Sequence, residues 1–120
     1  FAVKTIIFNS ESYFIPLTKT KCKSKVVNLY KEILQKDPNY YIAFYNMGFL
    51  RLVYSDDYDS AAHLFTLAIE KDPNYFEAYY NRGYAFELME QKDKALLDYK
   101  KALNIKPDFT LAAKGISRLE

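Results

Sequence analysis

Apolar residues recur at three- and four-residue intervals along most of the chain, a spacing that predicts helices rather than strands. Val26, Val27, Tyr30, Ile33 and Leu34 mark one such helix, entered from Ser24 as its N-cap. Two more run from Tyr40 to Tyr54 and from Phe76 to Met89. In the first of these, Phe44, Met47, Gly48 and Arg51 form the stripe that meets a partner helix, yet Ile42, Tyr45, Phe49, Leu52 and Val53 form a second apolar stripe. The corresponding positions of the other helix hold Glu77, Tyr80, Tyr84, Glu87 and Leu88. A surface helix needs one apolar stripe, so the second one asks for an explanation. Each long helix is followed by another that carries small residues seven apart, Ala61 and Ala68, then Ala95 and Ala102. From Thr110 onward Leu111, Ala112, Ile116 and Leu119 share a side, with Lys114, Arg118 and Glu120 opposite, which predicts a solvated terminal helix. Residues 1–8 fit a strand as readily as a helix, and Pro16 falls where the first helix of a regular unit would have its middle, which argues against a standard start.

Proline punctuates this pattern at positions 38, 73 and 107, at intervals of 35 and 34 residues. Each closes a similar phrase: Lys36-Asp37-Pro38-Asn39-Tyr40, Lys71-Asp72-Pro73-Asn74-Tyr75 and Lys106-Pro107-Asp108-Phe109. Self-similarity at this period marks a stacked array, in which one unit cannot bury its apolar face alone. The prolines end the second helix of each unit, because a ring without an N–H cannot continue it. Asn39, Asn74 and Asp108 are placed to cap the helices that follow, and Glu77 stands three residues after Asn74, as in a capping box. Gly48 and Gly83 fall mid-helix, where glycine costs about 1 kcal/mol against alanine. That position makes sense if a partner helix crosses too closely for a side chain, with the alanines as the complementary surface.

Aligned, the units read Phe44-x2-Met47-Gly48-x2-Arg51, Ala61-x3-Phe65, Ala68, Pro73, and then Tyr79-x2-Arg82-Gly83-x2-Phe86, Ala95-x3-Tyr99, Ala102, Pro107. This resembles the tetratricopeptide repeat (TPR) pattern over residues 26–120. Arg82 stands where leucine is usual, Arg51 where tyrosine is usual, and Ser55 and Glu90 replace the glycine before the inter-helix turn. The extra residue of the first unit falls in Ser55-Asp56-Asp57. The resemblance implies an all-α, right-handed superhelical stack of antiparallel helix hairpins forming one domain. Its parts are a degenerate element over 1–23, the second helix of a partial repeat over 24–39, full repeats over 40–74 and 75–108, and a capping helix over 109–120.

The resemblance also implies a function for the second stripe: in TPR proteins it lines a concave groove that receives a peptide. The groove would comprise Ile42, Tyr45, Asn46, Phe49, Leu52, Val53, Glu77, Tyr80, Asn81, Tyr84, Glu87 and Leu88, with Tyr45, Phe49, Tyr80 and Tyr84 as an aromatic wall. Asn46 and Asn81 occupy matching sites, and an amide can both donate to and accept from a ligand main chain; equally, asparagine there is simply frequent in the family. Some TPR domains dock a terminal carboxylate through Lys and Asn side chains. Here Tyr45, Phe49, Glu77 and Tyr80 take those places, which argues against such a clamp. The implied role is a non-catalytic protein-protein interaction module that binds a peptide segment. The alternative is an assembly role, with the groove filled by the N-terminal segment, further repeats or a second copy, hence a possible homodimer.

Composition narrows the remaining classes. The 120 residues carry a net charge of +2, too little to point to nucleic acid, and no apolar run approaches a bilayer span. Residues 1–36 hold 7 Lys against 2 Glu, densest from Lys19 to Lys25, but without arginine or interleaved rings this reads as a solvated turn entering a helix. Cys22 is the one cysteine and His63 the one histidine; neither has neighbours in sequence that would make a nucleophile or a metal site. Asp56, Asp57 and Asp59 precede a helix, where anions favour the positive dipole end. No catalytic motif is recognisable, so no enzyme activity, cofactor or metal is expected. A soluble, cytoplasmic protein is the expectation, with any leader or anchor lying upstream of Phe1.

Overall fold

The computed structural model describes residues 20–120, with side chains from Lys25 onward. Six helices follow one another: α1 (Thr20–Lys36), α2 (Tyr41–Tyr54), α3 (Tyr58–Lys71), α4 (Phe76–Leu88), α5 (Lys92–Ile105) and α6 (Thr110–Leu119). No strand occurs among the described residues. Each helix packs on its chain neighbour, and α2 also touches α4. This is the nearest-neighbour stacking of a solenoid, and it bears out the all-α expectation. The element expected over residues 1–23 lies outside the described residues except for its last four positions. There α1 already runs, from Thr20 instead of Ser24, because no helix breaker lies between Pro16 and Pro38. Cys22 and most of the lysine run fall among the side chains not described.

The proline phrases act as stops through the residue before the ring. In the first two phrases that residue is aspartate: Asp37 N–H donates to the Ile33 carbonyl at 2.8 Å and Asp72 N–H to the Ala68 carbonyl at 2.9 Å, closing the last turn. Each aspartate side chain then accepts from the asparagine beyond the proline, Asp37 Oδ1 from Asn39 N–H at 3.1 Å and Asp72 Oδ1 from Asn74 N–H at 3.2 Å. The asparagines therefore do not cap the next helices as the sequence suggested. Their backbone is held in an Asx turn, and the N-cap position moves one residue on, to Tyr40 and Tyr75, where no side-chain cap forms. Phe109 takes the same place before α6.

One short turn joins the two helices of each repeat, and each turn contains a residue in the left-handed region, Asp56 at φ 50° and Glu90 at φ 60°. Glu90 stands where the repeat pattern usually has glycine. In the first repeat the additional residue shifts the left-handed position from Ser55, at φ −115°, to Asp56. Aspartate enters that region more readily than most side chains. Asp57 then caps α3 by accepting from Ser60 N–H at 3.2 Å.

The mid-helix glycines sit at close crossings, though against rings and not against the alanines. A Cβ on Gly48 would lie 2.9 Å from the Phe65 ring, and one on Gly83 would lie 3.0 Å from the Tyr99 ring. Ala61, Ala68, Ala95 and Ala102 are fully buried, and they let those rings reach across from α3 and α5. Gly48→Ala gains about 1 kcal/mol of helix propensity but overpacks the Phe65 contact at a cost of about 1–3 kcal/mol. A net loss of about 1 kcal/mol is expected, read as a lower melting temperature; a variant that melts as high as the parent would show that the crossing has room to spare.

Candidate functional site

The second stripe of α2 and α4 divides into two populations once the repeats are stacked. Tyr45 is fully buried, its ring 5.6 Å from Phe65 and 4.8 Å from Tyr75 by centroid, and Tyr75 in turn meets Tyr41 edge-on at 5.2 Å. Tyr80 repeats the arrangement one unit later. Its ring lies 5.5 Å from Tyr99 and 5.1 Å from Phe109, and Phe109 meets Phe76 edge-on at 5.2 Å. Each cluster joins the first helix of a repeat, its second helix and the residue that enters the next repeat. Such ring pairs contribute about 0.5–1.5 kcal/mol each beyond the area they bury.

Tyr45 and Tyr80 are thus core residues and not the exposed anchors expected from the sequence. The physical reason is that Tyr75 and Phe109, overlooked in the sequence, supply the rings that cover them. Burial pushes the Tyr45 hydroxyl well above its ordinary pKa and the Tyr80 hydroxyl up to about 12. Leu52, Ile42, Asn46 and Asn81 are buried as well. What remains half-buried along the stripe is Phe49 and Val53 on α2, with Glu77, Tyr84, Glu87 and Leu88 on α4.

The paired asparagines have structural work. Asn81 Nδ2 donates to the Tyr45 hydroxyl at 2.7 Å, so the amide of one repeat binds the core tyrosine of the repeat before it. Asn46 Nδ2 likewise donates to Tyr30 on α1 at 3.0 Å. Asn46 and Asn81 hold corresponding positions in successive repeats, as do Tyr45 and Tyr80, and the bonds run between repeats, from Asn81 on α4 to Tyr45 on α2 and from Asn46 on α2 to Tyr30 on α1.

A second polar feature was missed. Arg82, in the place where leucine is usual, donates through Nε and Nη2 to both carboxylate oxygens of Asp98 at 2.8 and 2.7 Å, and through Nη1 to Thr66 Oγ1 at 3.0 Å. Thr66 itself donates to the Ala62 carbonyl at 2.8 Å. The guanidinium lies over the Tyr79 and Phe86 rings at 5.6 and 5.9 Å. The pair links α3, α4 and α5, with side chains only 19% and 6% exposed. Burial lifts the Asp98 carboxyl above its usual range against the pull of Arg82. The sequence signal was Arg82 itself, a charge at a core position, which requires a buried acid nearby.

At the far end of the stripe, Glu87 joins three helices. Arg118 on α6 donates to it through Nε at 2.9 Å and Nη2 at 2.7 Å, and the Tyr99 hydroxyl on α5 donates to Glu87 Oε1 at 2.7 Å. Burial raises the Glu87 carboxyl, but these bonds outweigh it and hold the group below its ordinary value. The Tyr99 hydroxyl is pushed far up by burial and by the carboxylate it serves. Gly115 lets α6 settle on the same ring, since a Cβ there would be 2.7 Å from Tyr99.

Other chemistry-bearing groups stay apart. Among the described residues no group of three or more His, Cys, Asp or Glu could hold a metal ion, and no helix is long and apolar enough to cross a membrane. His63 is exposed on α3 at the edge of a shallow depression shared with Arg51, Asp59, Ser60 and Leu64.

Comparison with known proteins agrees with this architecture. Residues 76–109 match the family model described as tetratricopeptide repeat. A search of curated proteins finds no match. Among solved structures, the TPR domain of Arabidopsis OM64 is similar at 26% identity with a TM-score of 0.76, over 87% of this chain and 85% of that one. The first TPR of Spaghetti (RPAP3), bound to the HSP90 peptide SRMEEVD, is similar at 19% identity with a TM-score of 0.77, over 86% and 81% of the two chains. The second TPR domain of human RPAP3, in complex with the HSP70 peptide SGPTIEEVD, is similar at 21% identity with a TM-score of 0.75, over 86% and 85%. Repeat spacing, helix order, glycine crossings and these likenesses together give the chain the all-α fold of tetratricopeptide repeat domains, with residues 76–109 matching the repeat itself.

Proposed function

We propose that the chain is a protein-interaction module whose concave groove, formed by the second stripes of α2 and α4 and bordered by α6, takes an extended peptide segment of a partner protein. The observation that carries this reading is the division of the stripe. Tyr45, Leu52 and Tyr80 are consumed by the core, yet Phe49, Val53, Tyr84 and Leu88 stay half-buried beside them. Side chains of this kind present rigid apolar area on a face that the core has already stiffened, which lowers the ordering cost of binding. Structures of the same fold hold short peptides, as the RPAP3 domains do. The anchors are therefore Phe49, Tyr84 and Leu88, while Asn46 and Asn81 act as struts behind them, their amides donating to tyrosine hydroxyls.

The test is selection of peptides from a displayed random library on the purified chain, followed by titration against Leu88→Ser and Tyr84→Ser. Selected peptides are expected to bind the parent at micromolar strength and to lose about tenfold or more on either variant, each of which still melts cooperatively a few degrees below the parent. Peptides indifferent to both changes would remove the groove from consideration. A selection without binders from a chain that sediments as a dimer would favour the assembly role.

A further inference from the structure

Arg118 reaches from α6 to the α4 stripe, where its charge also acts on Tyr80, and Lys114 stands exposed one turn earlier on the same helix. An arginine in such a place is a ready docking point for a ligand carboxylate. In this chain the guanidinium is already engaged by Glu87 in a two-bond fork at 2.9 and 2.7 Å, and the carboxylate is held in position by the Tyr99 hydroxyl from a third helix. The Glu87 side chain is 20% exposed and that of Arg118 47%, so the carboxylate is the partly withdrawn member and the guanidinium faces solvent. An incoming carboxylate would have to displace a charge-assisted fork and then remain beside the displaced anion.

We propose that Glu87 is a specificity-determining residue: it occupies Arg118 as an internal carboxylate, so that the groove accepts neutral, apolar peptide segments and turns acid-tailed ones away. The proposal rests on the peptide-groove reading and adds the chemical class of the ligand. Glu77, half-buried on the same stripe of α4, adds to the repulsion of acidic ligands. Rejection here is achieved by a built-in competing charge and not by closing the groove sterically.

The experiment uses the full chain, the acidic heptapeptide SRMEEVD, a neutral counterpart, SQMQQVN with an acetylated N-terminus and an amidated C-terminus, and the apolar peptides selected above, titrated by fluorescence anisotropy. Against Glu87→Gln the acidic peptide is expected to bind at least about tenfold tighter than against the parent, with the neutral peptide unchanged and the gain abolished in Glu87→Gln/Arg118→Ala. A folded Glu87→Gln chain that binds the acidic peptide no more tightly overturns the proposal, as does a gain that survives loss of Arg118. Should Glu87→Gln fail to fold, the parent's Arg118 Nε–H resonance decides: unmoved by millimolar acidic peptide it supports the proposal, shifted by it the proposal falls. Acidic sequences dominating the library selection would overturn this inference and leave the groove reading intact. Selected peptides that ignore Leu88→Ser and Tyr84→Ser would remove both.

Discussion

Asp98→Ala, with Arg82 left in place, is expected to destabilise the chain by about 3–5 kcal/mol, because it strands a guanidinium among rings with its main partner gone. The side chains involved are 19% and 6% exposed, so water cannot readily take over. For a single domain whose total stability is about 5–15 kcal/mol, that is a large fraction of the whole. Arg82→Leu, the residue usual at this position of the repeat, should be nearly as costly for the converse reason: Asp98 then stays buried without its cation. Arg82→Leu/Asp98→Ala should recover much of the loss, since apolar replacement of both members of a buried pair is often close to neutral. Chemical denaturation of the parent, both single variants and the double variant measures the coupling directly; additive losses would show that the two residues act independently. The pH dependence has a defined sign. Asp98 has a raised carboxyl pKa in the folded chain, so its contribution favours folding at low pH and is lost as pH rises through the folded value. In Arg82→Leu that loss on going towards neutrality should become steeper.

Tyr45→Ala should cost about 3–5 kcal/mol, equivalent to a fall of about 10–20 °C in melting temperature, while Tyr84→Ala, one repeat on and half-buried, should cost about 1 kcal/mol. The difference follows from what each ring touches. Tyr45 fills the space between Phe65 and Tyr75 and accepts from the Asn81 amide at 2.7 Å, so its removal opens a cavity and breaks a bond between repeats. Tyr45→Phe separates the two effects, because it keeps the ring and removes only the acceptor, at about 1–3 kcal/mol. Thermal melts followed by circular dichroism rank the three. Equal melting temperatures for Tyr45→Ala and Tyr84→Ala would mean that the stripe is not divided between core and surface as described.

Most of the fold is legible in the order of residues along the chain. The proline intervals set the register, the three- and four-residue spacing sets the helices, and Gly48 and Gly83 announce close crossings. Less of the candidate site can be read. Tyr45 and Tyr80 lie on an apolar stripe in the same way as Phe49 and Tyr84, and nothing within one helix distinguishes them. What separates them is Tyr75 and Phe109, residues 30 and 29 positions further on, whose rings arrive from the next repeat. Arg82 stands out as a departure, but its acid, Asp98, is 16 residues away on another helix and has no local mark. Glu87 and Arg118 are 31 residues apart and meet only because α6 closes on Tyr99 over Gly115.

The sequence by itself therefore determined helix type, helix order and repeat register, because these follow from spacing along one dimension and from proline's missing N–H. Which half of a doubly apolar helix becomes core, and which cation is already spoken for by an acid, was decided only in the tertiary structure. Burial and charge pairing depend on distances through space between repeats, and two stripes with equal hydrophobicity become different only when one of them is covered.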